Sequence, residues 1–259
     1  MNFTLPHIPT RSIKPRTTGI TMMMDKGLSP RQVEDFIAMN ERFTDFVKLG
    51  FGTSMVSNFL PEKIALYKAA NIRPYLGGTL FEAFVIRGEF DNYIKLLDKF
   101  KLDMVEVSDG SITIDHDLKC EYIHKLAKNF LVVSEVGSKE EGFVIRPAKW
   151  TSMMKKELDA GSFKVIAEAR ESGTVGIYRA SGHAHTILIN KILGSVKPED
   201  ILWEAPQKSQ QVWFIKLLGP NVNLGNIGYE DVIPLETLRI GLRGDTFFEH
   251  LPKELKHSI

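Results

Sequence analysis

Residues 104–136 read MVEVSDGSITIDHDLKCEYIHKLAKNFLVVSEV and contain one complete unit of the predicted fold. The apolar runs Met104–Ser108 and Leu131–Val136 are short enough to be strands, whereas Leu118–Asn129 repeats apolar residues at the spacing of a helix. Two strands joined through a helix are parallel, because the crossover returns the chain to the same edge of the sheet. This stretch therefore predicts a β-α-β unit of an α/β protein.

The same alternation runs along the chain from Gly19, and no Ser/Gly-rich linker interrupts it. Eight such units in roughly 220 residues favour closure into one (β/α)8 barrel. An open doubly wound sheet would have roughly five to seven units and a Gly-x-Gly-x-x-Gly turn after the first strand, where this chain has Asp25-Lys26-Gly27. We therefore predict the α/β class and a single-domain TIM barrel over residues 19–259, preceded by an N-terminal extension over residues 1–18.

The predicted elements are short, and each strand is followed by a helix. The strands are Ile20–Met24, Asp45–Leu49, Arg73–Leu76, Met104–Ser108, Leu131–Val136, Val165–Ala169, Ile201–Ala205 and Val222–Leu224. The helices are Pro30–Phe43, Pro61–Ala70, Phe90–Phe100, Leu118–Asn129, Trp150–Ala160, His185–Leu193, Ser209–Leu217 and Tyr229–Leu242.

The composition is that of a protein that buries one large core, with 43% apolar and 25% charged residues. The 33 basic and 32 acidic side chains leave almost no net charge, so no overall field favours nucleic acid or an anionic membrane. The only cysteine, Cys120, cannot form an internal disulfide, which is typical of the reducing cytoplasm. No apolar run is long enough to cross a bilayer. We expect a cytoplasmic homo-oligomer with small-molecule partners.

Strands four to seven each carry a glutamate near the end where active sites of this fold lie: Glu106, Glu135, Glu168 and Glu204. Side chains alternate between the two faces of a strand, and the helix-facing side is apolar. We therefore expect these carboxylates to point into the barrel. Asp109, in the loop after strand four, is an alternative to Glu106. A lone glutamate at a strand end is more often a surface or salt-bridge residue, but four in register favour a shared site.

Four carboxylates in one closed space repel each other unless some are protonated or cations balance them. Lys48, Lys139 and Arg170 are basic residues near the same strand ends. A hard divalent cation with oxygen ligands would supply the remaining positive charge. Charge balance therefore predicts bound Mg²⁺. The candidate metal ligands are Glu106, Asp109, Glu135 and Glu168.

An anion-binding loop is predicted after strands seven and eight, where barrels often bind phosphate through backbone N–H groups. Residues 221–228, NVNLGNIG, supply glycine for close approach and asparagine amides as donors. Arg170, at the end of strand six, adds a fork of donors for an oxyanion. Two structural alternatives stay open: a turn with asparagine caps for the loop, and an ion pair of Arg170 with Glu168 or Glu171. The candidate substrate-binding residues are Arg170, Gln207, Asn223, Gly225 and Asn226.

Arg239 and Arg243 are predicted to have a structural role. Both follow the last strand through a full helix, which places them away from the strand ends that form the site. We expect them to stabilise the barrel or a subunit contact.

Several contiguous strings of this sequence are similar to those of one family. They are RTTGITMMMDKG (16–27), DFVKLGFGTS (45–54), GGTLFE (77–82), VEVSDGSI (105–112), SEVGSK (134–139), KVIAEARESG (164–173), EAPQKSQQVWFIKLLGPNVNLGNI (204–227) and LETLRIGLRGDT (235–246). Together they extend from Arg16 to Thr246 and cover nearly the whole chain. The chain therefore resembles the phosphosulfolactate synthases.

This resemblance implies a (β/α)8 barrel that joins sulfite to phosphoenolpyruvate in a Mg²⁺-dependent reaction, giving 2-phospho-3-sulfolactate. It implies a carbon–sulfur lyase that works in the synthetic direction, for sulfolactate or coenzyme M biosynthesis. Lys139, in SEVGSK, is the proton donor that the resemblance suggests, and Lys48 is the alternative. Sulfur is the nucleophile, so no catalytic serine or cysteine is required.

Two other functions stay open from the sequence. A related barrel lyase would use another nucleophile or substrate through an enolate-type intermediate. Plant heat-stress-associated proteins also resemble this family, so a homologue without this catalysis is the second alternative. The presence of Lys48, Lys139, Arg170 and the glutamates favours an active enzyme.

Overall fold

The computed structural model describes residues 3–137 and 146–257 and contains eight parallel strands that alternate with helices. The strands are β1 (Thr21–Asp25), β2 (Phe46–Leu49), β3 (Arg73–Leu76), β4 (Met104–Val107), β5 (Leu131–Val136), β6 (Lys164–Ala167), β7 (Ile201–Glu204) and β8 (Leu224–Ile227). They pair in the order β3-β2-β1-β8-β7-β6-β5-β4, and the two end strands, β3 and β4, contact each other. The sheet is a nearly closed barrel, so the predicted (β/α)8 fold is confirmed.

The helices surround the barrel, and none of those in the described ranges is long and apolar enough to cross a membrane. They are α1 (Pro30–Asn40), α2 (Thr53–Val56), α3 (Leu60–Ala69), α4 (Gly78–Val85), α5 (Phe90–Lys99), α6 (His116–Leu126), α7 (Pro147–Asp159), α8 (Thr186–Leu193), α9 (Lys208–Leu218) and α10 (Val232–Arg239). Short 3-10 helices lie at Glu41–Phe43, Pro198–Asp200, Tyr229–Asp231 and Lys253–His257. The eight predicted helices are present. Two helices were not predicted: α2, which has only 4 residues, and α4, whose sequence GTLFEAFV is mostly apolar and shows no clear polar face.

The last strand begins two residues later than predicted, at Leu224 rather than Val222. Its centre is Gly225-Asn226, and both residue types are poor strand formers, so the sequence pattern does not mark them. Gly225 packs closely against Met22, because an added Cβ would lie 2.8 Å from Cε of Met22 and would require that flexible side chain to move. Gly225 therefore lies where the barrel interior is closely packed.

Two apolar layers hold the barrel together. One fills its interior and includes Met22, Phe46 and Tyr75. The other lies between the strands and the helices and includes Met23 and Val47. Neighbouring residues on one strand thus belong to different layers, as the alternation of strand side chains requires.

The N-terminal end of the barrel is closed by the extension and by Arg239. Arg11 forms an ion pair with Glu236 at 2.9 Å, and Arg16 forms one with Asp45 at 3.0 Å. The side chain of Arg239 is fully buried and donates to three backbone oxygens near the starts of β1 and β8. The structural role predicted for Arg239 is therefore confirmed.

Candidate active site

A lysine surrounded by glutamates lies inside the barrel. The Nζ atom of Lys48 is 2.9 Å from Oε1 of Glu106 and 3.4 Å from Oε2 of Glu135. It is also 3.5 Å from Oε1 of Glu204. All four side chains are buried, and that of Lys48 is only 8% exposed. We call these four residues the Lys48 cluster.

The alternation of strand side chains places this cluster just above the apolar filling of the barrel. The filling includes Phe46, Met104, Val133, Ile166 and Leu202. Two residues further along the same strands, the next inward positions are Lys48, Glu106, Glu135, Glu168 and Glu204. The cluster therefore lies toward the C-terminal ends of the strands, where barrel enzymes have their active sites.

Glu168 is buried at the same level, directly after β6. A Cβ on Gly137 would lie 2.5 Å from Oε2 of Glu168, so the glycine leaves the space that this carboxylate occupies. The structure thus brings all four glutamates of the sequence prediction into the same part of the barrel.

Within the Lys48 cluster, the charged groups shift the pKa values of their neighbours. Burial by itself would lower the pKa of Lys48, but the three surrounding carboxylates outweigh it and raise this pKa well above its ordinary value. Burial raises the pKa of Glu204 to about 8, although Lys48 opposes the shift. At neutral pH the cluster therefore holds a charged ammonium group and a largely protonated Glu204.

Replacing Glu204 with glutamine will flatten the dependence of stability on pH. Folded wild-type protein keeps the Glu204 proton up to about pH 8, whereas an unfolded glutamate releases it near about pH 4.3. Folding therefore binds a proton in this window, and the free energy of unfolding falls as the pH rises through it. Glutamine cannot ionise, but its side-chain oxygen can still accept from the Ala169 N–H, which is 2.8 Å from Oε2 of Glu204.

Urea denaturation at several values between about pH 5 and about pH 9 measures this slope. The variant Glu34→Gln, at an exposed position on α1, serves as the control and should keep the wild-type slope. Equal slopes for wild-type protein and Glu204→Gln would show that Glu204 is ionised throughout.

The junction between β3 and β4 is bridged by two glutamates rather than by a strand ladder. Oε1 of Glu106 accepts from the Gly78 N–H at 2.7 Å. Glu82, on α4, accepts from the Ser108 hydroxyl and from the Ser111 N–H, the latter at 2.7 Å. Glu106 thus joins the two strands and also contacts Lys48. Sequence analysis missed Glu82, because a single acid in a short apolar helix gives no signal.

A second buried lysine supports the ends of β4 and β5 from the helix side. Nζ of Lys119, on α6, is 2.8 Å from Oδ1 of Asp109 and 2.9 Å from Oε1 of Glu157. It also donates to the backbone oxygen of Glu135 at 2.6 Å. Asp109, predicted as an alternative metal ligand, is therefore directed toward α6, whereas Glu106 points to Lys48.

The long loop between β6 and α8, residues 168–185, is fixed beside the C-terminal strand ends. The hydroxyl of Tyr178 donates to the backbone oxygen of Glu204 at 2.7 Å. Gln210, which is buried on α9, donates to two backbone oxygens of the loop. Gln207 donates to a third at 2.6 Å. Gln207, which was predicted to bind substrate, therefore holds this loop through a hydrogen bond to its backbone.

Arg170 and Asn226 lie at the C-terminal end of the barrel, and each has polar side-chain atoms that could contact a substrate. Arg170 is half-buried and forms no ion pair with any residue in the described ranges. Glu171, its predicted alternative partner, pairs with Lys26 instead. Asn226 donates to the backbone oxygen of Ala169 at 3.3 Å. Its buried Oδ1 has no hydrogen-bond partner within residues 3–137 and 146–257.

Two other predicted residues, Asn223 and Gly225, offer no side-chain group to the Lys48 cluster. Asn223 precedes β8, and its amide makes hydrogen bonds with backbone groups at the starts of β1 and β7. It therefore lies at the opposite end of the barrel. Gly225 pairs with Glu204 inside the sheet, where its lack of a side chain serves packing. Lys139 lies outside the described residues.

A nearly closed (β/α)8 barrel with a buried ionic cluster at the C-terminal strand ends has the architecture of a barrel enzyme. The sequence pattern of the family described as (2R)-phospho-3-sulfolactate synthase (ComA) matches residues 9–245. Phosphosulfolactate synthase from Bacillus subtilis (strain 168) is 40% identical over 244 residues, or 93% of this chain and 97% of that protein. The chain belongs to the (2R)-phospho-3-sulfolactate synthase family.

Other known proteins are also similar to this chain. Phosphosulfolactate synthase from Methanocaldococcus jannaschii is 41% identical over 235 residues, covering 88% of this chain and 94% of that protein. The protein HEAT-STRESS-ASSOCIATED 32 from Arabidopsis thaliana is 20% identical over 260 residues, covering 88% of each chain. The crystal structure of 3-hexulose-6-phosphate synthase from Salmonella typhimurium has a TM-score of 0.56 at 15% identity, covering 86% of this chain and 100% of that one. This last similarity concerns the fold alone.

Proposed function

We propose that the protein adds sulfite to phosphoenolpyruvate and forms 2-phospho-3-sulfolactate, as a carbon–sulfur lyase working in the synthetic direction. The observation that supports this most is the buried ammonium group of Lys48 at the catalytic end of the barrel. The reaction itself is taken from the relatives named phosphosulfolactate synthase, such as the Bacillus subtilis protein at 40% identity.

The proposed reaction develops negative charge next to the ammonium group of Lys48. The sulfur lone pair of sulfite attacks the methylene carbon, a C–S bond forms, and the electrons of the C=C bond move onto the carboxylate as an aci-carboxylate dianion. A charged group fixed in a buried site stabilises such a dianion without reorganisation. We assign Lys48 to the carboxylate oxygens of the substrate, because its neighbours hold it in the ammonium form.

A proton must then reach the carbon that carries the phosphate group. The same carboxylates that raise the pKa of Lys48 make it a poor acid. We therefore assign proton donation to Lys139, which follows the Glu135 strand closely in sequence. Lys48 remains the alternative donor.

Arg170 and Asn226 are the proposed contacts for the phosphate or sulfite oxygens. The guanidinium of Arg170 is a planar fork that matches an oxyanion, and no described carboxylate pairs with it. Gln207 and Gln210 hold the loop that contains Arg170. We expect this loop to set the distance between the oxyanion and the Lys48 cluster.

We also propose that the reaction uses Mg²⁺. The described residues contain no group of three His, Cys, Asp or Glu side chains arranged to hold a metal. Mg²⁺ in enzymes commonly uses one or two carboxylates and completes its shell with water and substrate oxygens. Buried carboxylates such as Glu106, Glu135 and Glu168 fit that requirement. When bound, the ion would offset the charge that develops on the substrate.

The proposed reaction is tested by incubating purified protein with phosphoenolpyruvate, sulfite and Mg²⁺, and by detecting the sulfonate product with phosphorus NMR and mass spectrometry. Omitting sulfite or phosphoenolpyruvate gives the controls. Calorimetric titration with Mg²⁺ alone measures metal binding separately. No sulfonate product with any divalent metal would reject the proposal and favour the related lyase that uses another nucleophile.

Replacing Lys139 with alanine should reduce turnover at least about a hundredfold, because a general acid contributes roughly that much. Binding of phosphoenolpyruvate should change much less. Steady-state kinetics with separate kcat and KM values check this expectation, and exposed Lys149→Ala provides a matched control. Turnover equal to wild type would transfer proton donation to Lys48.

The heat-stress homologue without this catalysis is the second candidate, since one such protein is 20% identical. The closer likeness to the synthases and the intact Lys48 cluster favour the enzyme. We further propose a cytoplasmic homo-oligomer.

A further inference from the structure

A second cavity lies at the end of the barrel opposite to the Lys48 cluster. Its volume is about 460 Å³, which is within the range of roughly 300–1,000 Å³ for small-molecule sites. Phe46 and Leu131, the first residues of β2 and β5, line it together with Phe163. Residues 14–17 of the N-terminal extension form another wall. The apolar filling of the barrel separates this cavity from the Lys48 cluster.

Two ion pairs in the cavity wall balance their own charges. Arg16 and Asp45 are 3.0 Å apart and almost fully buried. Arg73, at the start of β3, lies 3.0 Å from Asp103, before β4. Each pair combines one cation with one carboxylate, so neither adds net charge to the cavity.

Two lysines in the same wall have no such balance. Nζ of Lys14 donates to the backbone oxygens of Glu41 at 2.8 Å and Thr44 at 2.7 Å. Nζ of Lys68 donates to the backbone oxygen of Lys101 at 2.5 Å. No carboxylate of the described ranges lies within ion-pair distance of either ammonium group. The ammonium groups of Lys14 and Lys68 therefore contact backbone oxygens directly, and Asp45 and Glu41 act on Lys14 only from beyond ion-pair distance.

Burial supports the same conclusion for Lys14. It lowers the pKa of this lysine, with Asp45 opposing and Arg16 adding to the shift. An anion bound in the cavity would stabilise the ammonium form of Lys14 and would therefore oppose the lowering of its pKa. The neighbouring aromatic surface of Phe46 and Phe163 suits an apolar group next to the anion.

We propose that this cavity binds a small organic phosphate whose dianionic group lies between Lys14 and Lys68 and whose apolar body packs on Phe46 and Phe163. This site is separate from the proposed catalytic site and does not depend on the reaction assigned there. Phosphate oxygens accept strong hydrogen bonds from ammonium groups, and two such groups match a dianion.

Calorimetric titration of the full chain with phenyl phosphate tests the proposal. We expect Lys14→Met and Lys68→Met each to weaken binding at least about tenfold, the usual effect of losing one charged hydrogen bond. The distant surface variant Lys216→Met should bind as wild type does. Benzyl alcohol, which lacks the charge, should not bind.

Lys68 is exposed on α3, so its variant keeps the test valid if Lys14→Met folds poorly. Absence of binding at millimolar phenyl phosphate would overturn the proposal. Binding that is kept at wild-type strength in both Lys14→Met and Lys68→Met would also overturn it, because the probe would then occupy another site.

Discussion

Replacing Lys119 with methionine will lower the free energy of unfolding by about 3–5 kcal/mol, the usual cost of removing one partner from a buried ion pair. Lys119 is fully buried, and its ammonium group contacts Asp109, Glu157 and the backbone of Glu135. Methionine has a similar shape but leaves both carboxylates without their cation. For a chain of this size, the midpoint of thermal unfolding should fall by roughly 10 °C.

Thermal and urea denaturation measure this loss, and the neighbouring surface offers a matched control. Lys156 and Asp117 also join α7 to α6 at 2.9 Å, but both are exposed. Water and salt screen such a pair, so Lys156→Met should unfold at nearly the wild-type temperature. In the double variant Lys119→Met/Glu157→Gln, part of the lost stability should return, because one orphaned charge is removed. Equal midpoints for Lys119→Met and Lys156→Met would contradict the proposed role.

The fold could be predicted because apolar residues recur with different spacings in barrel strands and in helices. MVEVS at residues 104–108 is too short for a helix, whereas Leu118–Asn129 has helical spacing, and the structure has β4 and α6 there. The spacing of apolar residues does not predict a strand where the residues themselves are poor strand formers. Gly225 and Asn226 are poor strand formers, yet they lie in β8, where Gly225 packs closely against Met22.

The Lys48 cluster could be predicted in part, because a charge inside an apolar run is visible in sequence. Lys48 in FVKL and Glu106 in MVEV both stand out in this way. Which of the basic residues meets the glutamates depends on how the strands are arranged around the barrel, and that requires the structure. The sequence named Lys48, Lys139 and Arg170 without choosing. The structure places Lys48 among the glutamates and shows no ion pair of Arg170 within the described ranges, whereas Lys139 lies outside the described residues.

Charged residues on helices gave no comparable sign in the sequence that they would be buried. Lys119 has the spacing and polar neighbours of a solvent-facing helix residue, but its partners come from a loop and from the next helix along the chain. For Asn223 the sequence instead predicted a functional role that the structure does not support. Its position in an Asn/Gly segment indicated an anion site, whereas its amide joins strand starts at the far end of the barrel. Such contacts between distant segments are not encoded in local spacing.

Replacing Lys48 with methionine should reduce kcat/KM for the proposed reaction by about a hundredfold to a thousandfold, as the loss of one preorganised charge donor does in other enzymes. The substrate carboxylate would then meet Glu106 and Glu135 without the ammonium group between them. Kinetics of sulfonate formation at saturating Mg²⁺ measure the effect. Lys48→Arg should recover little, because a planar guanidinium does not fit the space of a compact ammonium group among three carboxylates.

The loss of turnover must be separated from damage to the fold, because Lys48→Met also leaves buried carboxylates without their cation. The double variant Lys48→Met/Glu106→Gln separates them: glutamine keeps an acceptor for the Gly78 N–H and removes one negative charge. We expect this variant to regain stability but not activity, since the positive charge at the reacting end is still missing. If activity returned together with stability, Lys48 would serve only to hold the barrel together, and the charge stabilisation proposed for it would have to come from another group.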